Sequence, residues 1–236
     1  MIHQTTFKRG RSFLAVLMLL AAGPAWAERV LPSENAEVAV EDAEVAGENG
    51  EDAEVVRTVE HLHATMLSVM KDSDALGYSG RYERLEPVIY SQFDLPFMAA
   101  KSVGRYWKTA SQEERDKLVK TFSRFSVANY AGRFDGWSGQ SFETLGVDSS
   151  ARGTMLVRTM LLNPSGDDIQ LYYRLRNGTD GRWKIIDVYL NGTVSELALR
   201  RSEYSSLIER EGFEALLIAL NERIKTLATS PADQAS

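Results

Sequence analysis

The 236-residue chain predicts an α+β domain, with helices, then a four-stranded twisted antiparallel sheet, then helices again. Three observations lead there. Apolar residues recur at three- and four-residue steps from Val55 to about Tyr130. The period switches to two between about 140 and 190, and beyond Asn191-Gly192 the helical period returns.

The elements follow in chain order. Lys8, Arg9 and Arg11 precede the apolar run Phe13–Ala22, and Ala25-Trp26-Ala27 has the small-x-small form of a cleavage site, so residues 1–27 read as a signal peptide. An apolar run of that length makes a helix of roughly 15 Å, short of a bilayer core of about 30 Å. Residues 28–54 carry ten acids against one base and no aromatic side chain. Ala-Glu-Val recurs there at 36–38, 43–45 and 53–55, without the regular seam of a coiled coil, and the stretch reads as an acidic disordered tether. Residues 55–236 read as a single domain.

Val55, Val56, Val59, Leu62, Met66, Leu67 and Met70 mark a helix ending near Lys71. A weaker one covers about Arg81–Gln92, interrupted near Pro87. Asp94 suits the cap of a third helix with Pro96 in its first turn, burying Leu95, Met98, Val103, Tyr106 and Trp107. Ser111-Gln112-Glu113-Glu114 forms a capping box for a helix that buries Leu118, Phe122, Phe125 and Tyr130. Strands are expected at about 140–147, 152–162, 168–176 and 182–190, the last three separated by the turn sequences Asn163-Pro164-Ser165-Gly166 and Asn177-Gly178-Thr179-Asp180-Gly181. Met155, Val157 and Leu161 face inward on the second strand, and Ile169, Leu171, Tyr173 and Leu175 on the third, opposite a wet face of Gln170, Arg174 and Arg176. Val194, Leu197, Tyr204, Leu207 and Ile208 mark a helix that Gly212 interrupts, and Phe213, Leu216, Leu217, Leu220, Ile224 and Leu227 mark the last.

The fourth strand is unusual. Strict alternation gives it two apolar faces, Trp183, Ile185 and Tyr189 on one and Ile186, Val188 and Leu190 on the other. Asp187 sits within the first set, where a strand interior disfavours a carboxylate. It reads either as a base or ligand-contacting group in a cavity, or as a structural acid that accepts backbone donors or an arginine, for which Arg105, Arg133 and Arg201 are candidates. The structural reading is preferred.

Little else suggests chemistry. Beyond residue 54 acids and bases balance, which gives no basic face for nucleic acid. The absence of cysteine excludes thiol catalysis, cysteine-ligated metals and a cysteine-anchored lipoprotein, and an exported chain of this kind fits a bacterial periplasm. His61 and His63 stand two apart on a helix and diverge, unlike the i, i+4 pair of a helical metal site, and read as surface or rim histidines. No nucleophile elbow, Walker loop or dinucleotide fingerprint occurs. Neither a catalytic constellation, a metal site nor a cofactor is expected.

The stretch F-D-L-P-F-M-A-A-K-S-V-G-R-Y-W-K-T-A-S-Q-E-E-R from Phe93, followed by Phe122, Phe125 and Tyr130, resembles the toluene-tolerance or MlaC-type periplasmic lipid-binding family. The resemblance continues at Trp183-Lys184, Asp187-Val188, Gly192, Ser195, Arg201, Tyr204, Gly212 and Leu216, and covers about 80–227. Here the family's Gly-Val-Ser is stretched to Gly192-Thr193-Val194-Ser195, with Glu196 where an apolar residue is common, and the run from Ser195 to Tyr204 is more similar to the hopanoid-associated, HpnM-type branch. The resemblance implies a monomeric, non-enzymatic carrier of hopanoid or phospholipid, with an apolar lipid cavity between sheet and helices. It also implies partners: an inner-membrane ABC-transport lipid-binding complex, and an outer-membrane lipoprotein or hopanoid-transport protein. The cavity walls would be Val103, Tyr106, Phe122, Phe125, Tyr130, Met155, Val157, Leu161, Leu171, Tyr173, Ile185, Tyr204 and Leu207. One face of the fourth strand would pack and the other would line the cavity. Two other classes stay open on the residues alone: a periplasmic enzyme using Asp187 on an apolar substrate, and an assembly module whose apolar surface meets a partner helix.

Overall fold

The computed structural model describes residues 50–229. The predicted signal peptide, the tether up to residue 49 and residues 230–236 lie outside the described residues. Helix α1 spans Gly50–Lys71, so residues 50–54, expected to end the tether, form its first turn. Glu51 and Asp52 there favour a helix start, because carboxylates complement the positive end of the helix dipole. Helix α2 spans Ser73–Gln92 and is longer than its period suggests. Its interruption falls at Gly77 (φ 56°, ψ −173°), not at Pro87, since a left-handed φ costs glycine nothing.

Asp94 caps α3 (Leu95–Ser102), its Oδ1 accepting from the Phe97 amide at 3.1 Å, with Pro96 in the first turn. That helix stops before Val103, and the short α4 (Tyr106–Thr109) carries the aromatic pair expected on α3. Ser111 and Glu114 form the anticipated capping box of α5 (Gln112–Arg133). Phe122 and Leu118 are wholly buried on α5, each contributing about 1.5–3 kcal/mol by leaving water.

Strands β1 (Ser141–Ser150), β2 (Thr154–Leu162), β3 (Ile169–Asn177) and β4 (Trp183–Leu190) form an antiparallel meander in sequence order. A fifth strand, β5 (Val194–Ser195), pairs with the end of β4, so the sheet has five strands instead of four. The chain reverses into it at Asn191-Gly192, both with positive φ, as a type I′ hairpin turn requires. Two residues are too few to show a period, and Val194, assigned to the following helix, lies in this strand and is exposed. Helix α6 (Glu196–Glu211) ends at Gly212, and α7 (Phe213–Ala228) completes the domain.

Helices α1, α2, α3 and α6 pack on β4, while α5 packs on α2, α3 and α7. Phe93 adds a bridge beside Ile185, with the Asp94 amide donating to the Ile185 carbonyl at 2.9 Å. Asp94 Oδ2 also receives Nη2 and Nε of Arg176 at 2.6 and 3.0 Å, and the Arg176 guanidinium lies 4.0 Å from the Phe97 ring centre. One carboxylate thus joins α3 to the sheet.

His63 is buried, not a rim residue, because it follows Val59 and Leu62 on the face of α1 turned to the sheet. Its ring stacks on Phe142 at 3.9 Å, and Nε2 lies 3.1 Å from the Tyr173 hydroxyl. Burial lowers its pKa from 6.5 to about 3. Between those values the unfolded chain binds the extra proton, so stability falls as pH drops, by up to about 1.4 kcal/mol per pH unit. Urea unfolding between pH 7 and pH 4.5 should show this slope, and His63→Gln should remove that part of it; an unchanged slope would mean that His63 titrates freely.

Candidate functional site

The register of β4 decides what each of its side chains meets. Leu171 pairs with Leu190, Tyr173 with Val188 and Arg174 with Asp187, but Leu175 pairs with Ile185, so Ile186 is an extra residue. Directly paired residues share a face. The bulge therefore puts Ile185, Val188 and Leu190 on one face with Leu175, Tyr173 and Leu171, and leaves Asp187 on the other with Arg174. The expected pair of apolar faces is corrected to one. Strict alternation failed because a bulge exchanges the faces within the strand.

On its own face Asp187 is held from three directions. Oδ1 accepts from the amides of Val188 at 2.9 Å and Leu197 at 3.1 Å, and Oδ2 accepts the Ser195 hydroxyl at 2.6 Å. Ser195 in turn caps α6 by accepting from the Ala198 amide at 2.9 Å. Burial raises the Asp187 pKa, and the bonds from Ser195, Leu197 and Val188 and the nearby Arg174 oppose that rise. None of the three arginines considered as partners binds it. Arg105 pairs with Glu209, Arg133 pairs with Glu196, and the Arg201 guanidinium packs against Gly104.

The expected wall residues converge on one core. Val103, Phe122, Phe125, Val157, Leu161, Leu171, Tyr173, Ile185 and Tyr204 belong to one buried cluster, against which Tyr106, Tyr130, Met155 and Leu207 pack. Val103, Phe122, Val157 and Ile185 are 0% exposed, so no water-sized void borders them. At those four positions side chains fill the space between sheet and helices. Tyr204 and Leu207 do line a cavity of about 280 Å³, between α6 and α7. Its floor is Leu216, Leu220 and Tyr204 of the core, and Glu203, Arg210 and Arg223 stand around it. A second, more open groove of about 470 Å³ runs past Tyr90, Pro96, Trp107, Arg115 and Val119.

Residues the period could not single out complete the α5–α6 corner. Arg133 Nη1 donates to Glu196 Oε1 at 2.9 Å, and Arg200 Nη2 lies 3.6 Å from Glu196 Oε2. The Arg200 guanidinium sits 5.4 Å from the Phe122 ring centre and 5.3 Å from that of Phe125. Burial disfavours the Arg200 charge, while Tyr204, Glu196, Tyr130 and Glu203 more than offset it and raise its pKa. The sequence signal was the i, i+4, i+8 series Glu196, Arg200, Tyr204, which lie on one side of the helix.

A family model described as MlaC protein matches residues 60–222. This chain belongs to the MlaC protein family. The intermembrane phospholipid transport system binding protein MlaC of Haemophilus influenzae is 25% identical over 132 residues, 55% of this chain and 61% of that protein. The chain therefore spans about three fifths of the length of the curated relative it matches. A phospholipid-binding protein from Ralstonia solanacearum, solved in complex with a phospholipid, shares the fold with a TM-score of 0.65 and 22% identity, over 75% of this chain and 99% of that one. Within the MlaC family fold, the Asp187–Ser195 node anchors α6 to β4. Among the described residues no helix is long and apolar enough to cross a membrane.

Removing the Asp187 carboxylate leaves the part-buried Leu197 amide without its acceptor and releases the Ser195 cap. Asp187→Ala should lower the unfolding free energy by about 2–4 kcal/mol, and Ser195→Ala by about 1 kcal/mol. Urea unfolding of both variants checks this. An Asp187→Ala variant as stable as the parent would remove the node from the account of the fold.

Proposed function

We propose that the protein is an exported lipid carrier, not an enzyme, working in a bacterial periplasm. It takes one lipid from an inner-membrane ABC-transport complex, or returns one to it, and exchanges it with an outer-membrane partner. The cargo is a phospholipid or a hopanoid. Family membership and the name of the Haemophilus relative support the class of activity.

The observation that carries the reading is the gap between α6 and α7, whose floor is the apolar core itself. At about 280 Å³ it falls just short of the roughly 300–1,000 Å³ of ordinary ligand sites, so it is an entrance, and the acyl chain or ring system occupies space made by parting the core side chains. The need for such a carrier is physical. A sixteen-carbon chain is disfavoured in water by about 13 kcal/mol, at about 0.8 kcal/mol per methylene. Lipid therefore leaves a bilayer slowly unless a protein interior replaces it. Such an interior needs apolar surface and no reactive group.

Native mass spectrometry of the protein purified from periplasm without detergent, followed by organic extraction, tests this. A stoichiometric adduct is expected, and the extracted lipid distinguishes phospholipid from hopanoid. An apo mass with no uptake from liposomes of either kind would overturn the carrier reading. Ala219→Trp, which places an indole in the α6–α7 gap, should reduce uptake from liposomes by about tenfold or more while circular dichroism remains that of the parent.

A further inference from the structure

Resting on the carrier reading, we propose that the Glu203–Arg223 ion pair is a clasp across the α6–α7 gap. It must part for a lipid to pass, so it sets the speed of lipid entry and exit without choosing the lipid.

The gap is a seam between two helices that are fastened to different parts of the domain. The Asp187–Ser195 node holds the start of α6 to the sheet, and Arg105, just before α4, donates to Glu209 near the end of α6 at 3.2 Å. Helix α7 lies instead on α5, so closely that a side-chain carbon at Gly132 would stand 2.9 Å from Leu227 Cδ2. Gly212 is the single residue between α6 and α7. Apart from its chain neighbours, no atom lies within 4 Å of where a side chain would begin there. A rotation at this joint meets no packed side chain, which makes it a hinge.

The ion pair stands at the other end of the seam. Glu203 precedes Gly212 and Arg223 follows it by similar distances along the two helices, roughly 14–17 Å at 1.5 Å per residue. Arg223 Nη2 donates to Glu203 Oε1 at 2.8 Å, and among the described residues this is the one ion pair that joins α6 to α7. Between hinge and pair the facing side chains are chiefly those of Tyr204, Leu207, Leu216 and Leu220, while Arg210 turns to Ser206 and Glu211 of its own helix. The cavity is therefore bounded by the hinge at one end and by the pair at the other. The Arg223 and Glu203 side chains are 41% and 36% exposed, so solvent screens their attraction. Such a pair aligns the helices yet parts readily, whereas a buried pair would hold the gap shut. A clasp made before and after a lipid passes, and broken only during passage, raises the barriers to entry and exit equally.

The test measures rates of uptake and release with the full exported protein, using vesicles that carry phosphatidylcholine or a hopanoid, for whichever of the two the parent accepts. Glu203→Gln and Arg223→Gln should each speed both uptake and release by about two- to fivefold, the range open to an exposed pair, and leave affinity as in the parent. The charge-reversed double variant Glu203→Arg/Arg223→Glu should return both rates to those of the parent. The chain has no cysteine, so Glu203→Cys/Arg223→Cys can be joined by a short, reducible thiol crosslinker that acts at this seam alone. Uptake should then fall by about tenfold or more, because the apolar core behind the gap loses its entrance, and reduction should restore it. Circular dichroism and thermal unfolding report that each variant is folded. Unchanged rates in the folded single variants, a change in release alone, or parental uptake by the crosslinked protein would overturn the clasp and leave the carrier reading standing. Uptake of neither lipid by the parent would overturn both.

Discussion

The extra residue at Ile186 is the constraint on which the rest of the domain depends. A strand that kept strict alternation through this segment would split its apolar residues between two faces and push Asp187 into the core. The bulge collects Ile185, Val188 and Leu190 against the helices and delivers Asp187 to the opposite side, where Ser195 and the start of α6 wait for it. A carboxylate that would be costly in an apolar layer becomes the acceptor for a helix N-terminus, where negative charge is favoured. The position of α6 follows from that bond, and with it the gap between α6 and α7.

A second carboxylate does similar work at the other end of β4. Asp94 caps α3, receives Arg176 from β3 and lends its amide to the Ile185 carbonyl. The two ends of β4 are therefore fixed by polar contacts, while α5 and α7 meet the rest chiefly through apolar side chains, with the buried Arg81 guanidinium donating to the Ala131 carbonyl at 2.9 Å. That division suits the proposed carrier. Directional bonds hold the sheet and the starts of α3 and α6, and non-directional apolar contacts, which re-form around a hydrocarbon at little net cost, fill the space between.

Much of this was legible in the residues. The periods of Val55–Met70 and of Phe213–Leu227, the capping box at Ser111 and the cap at Asp94 each announce an element through a local rule, and each element stands where its rule places it. The second helix was legible only in part, because its break is set by the backbone of Gly77 and no side-chain pattern reports a φ angle. β5 was missed for want of length, although Asn191-Gly192 signalled the reversal that makes it. His63 looked peripheral because a polar type on a helix says nothing of what faces it, and the Tyr173 hydroxyl and the Phe142 ring arrive from strands far along the chain.

The sequence by itself determined the class of fold, the order of helices and strands, the apolar identity of the interior and the family. The first three depend on local periodicity, capping and residue type, which need no knowledge of neighbours, and the family rests on motifs that resemble its pattern. Only the tertiary structure decided that β4 has one apolar face, that Asp187 binds the start of α6 and not an arginine, and that the Arg200 guanidinium lies over two phenyl rings. Each of these depends on register or on contacts between distant segments. A one-residue shift in pairing reverses every side chain beyond it, and no local pattern records where that shift occurs.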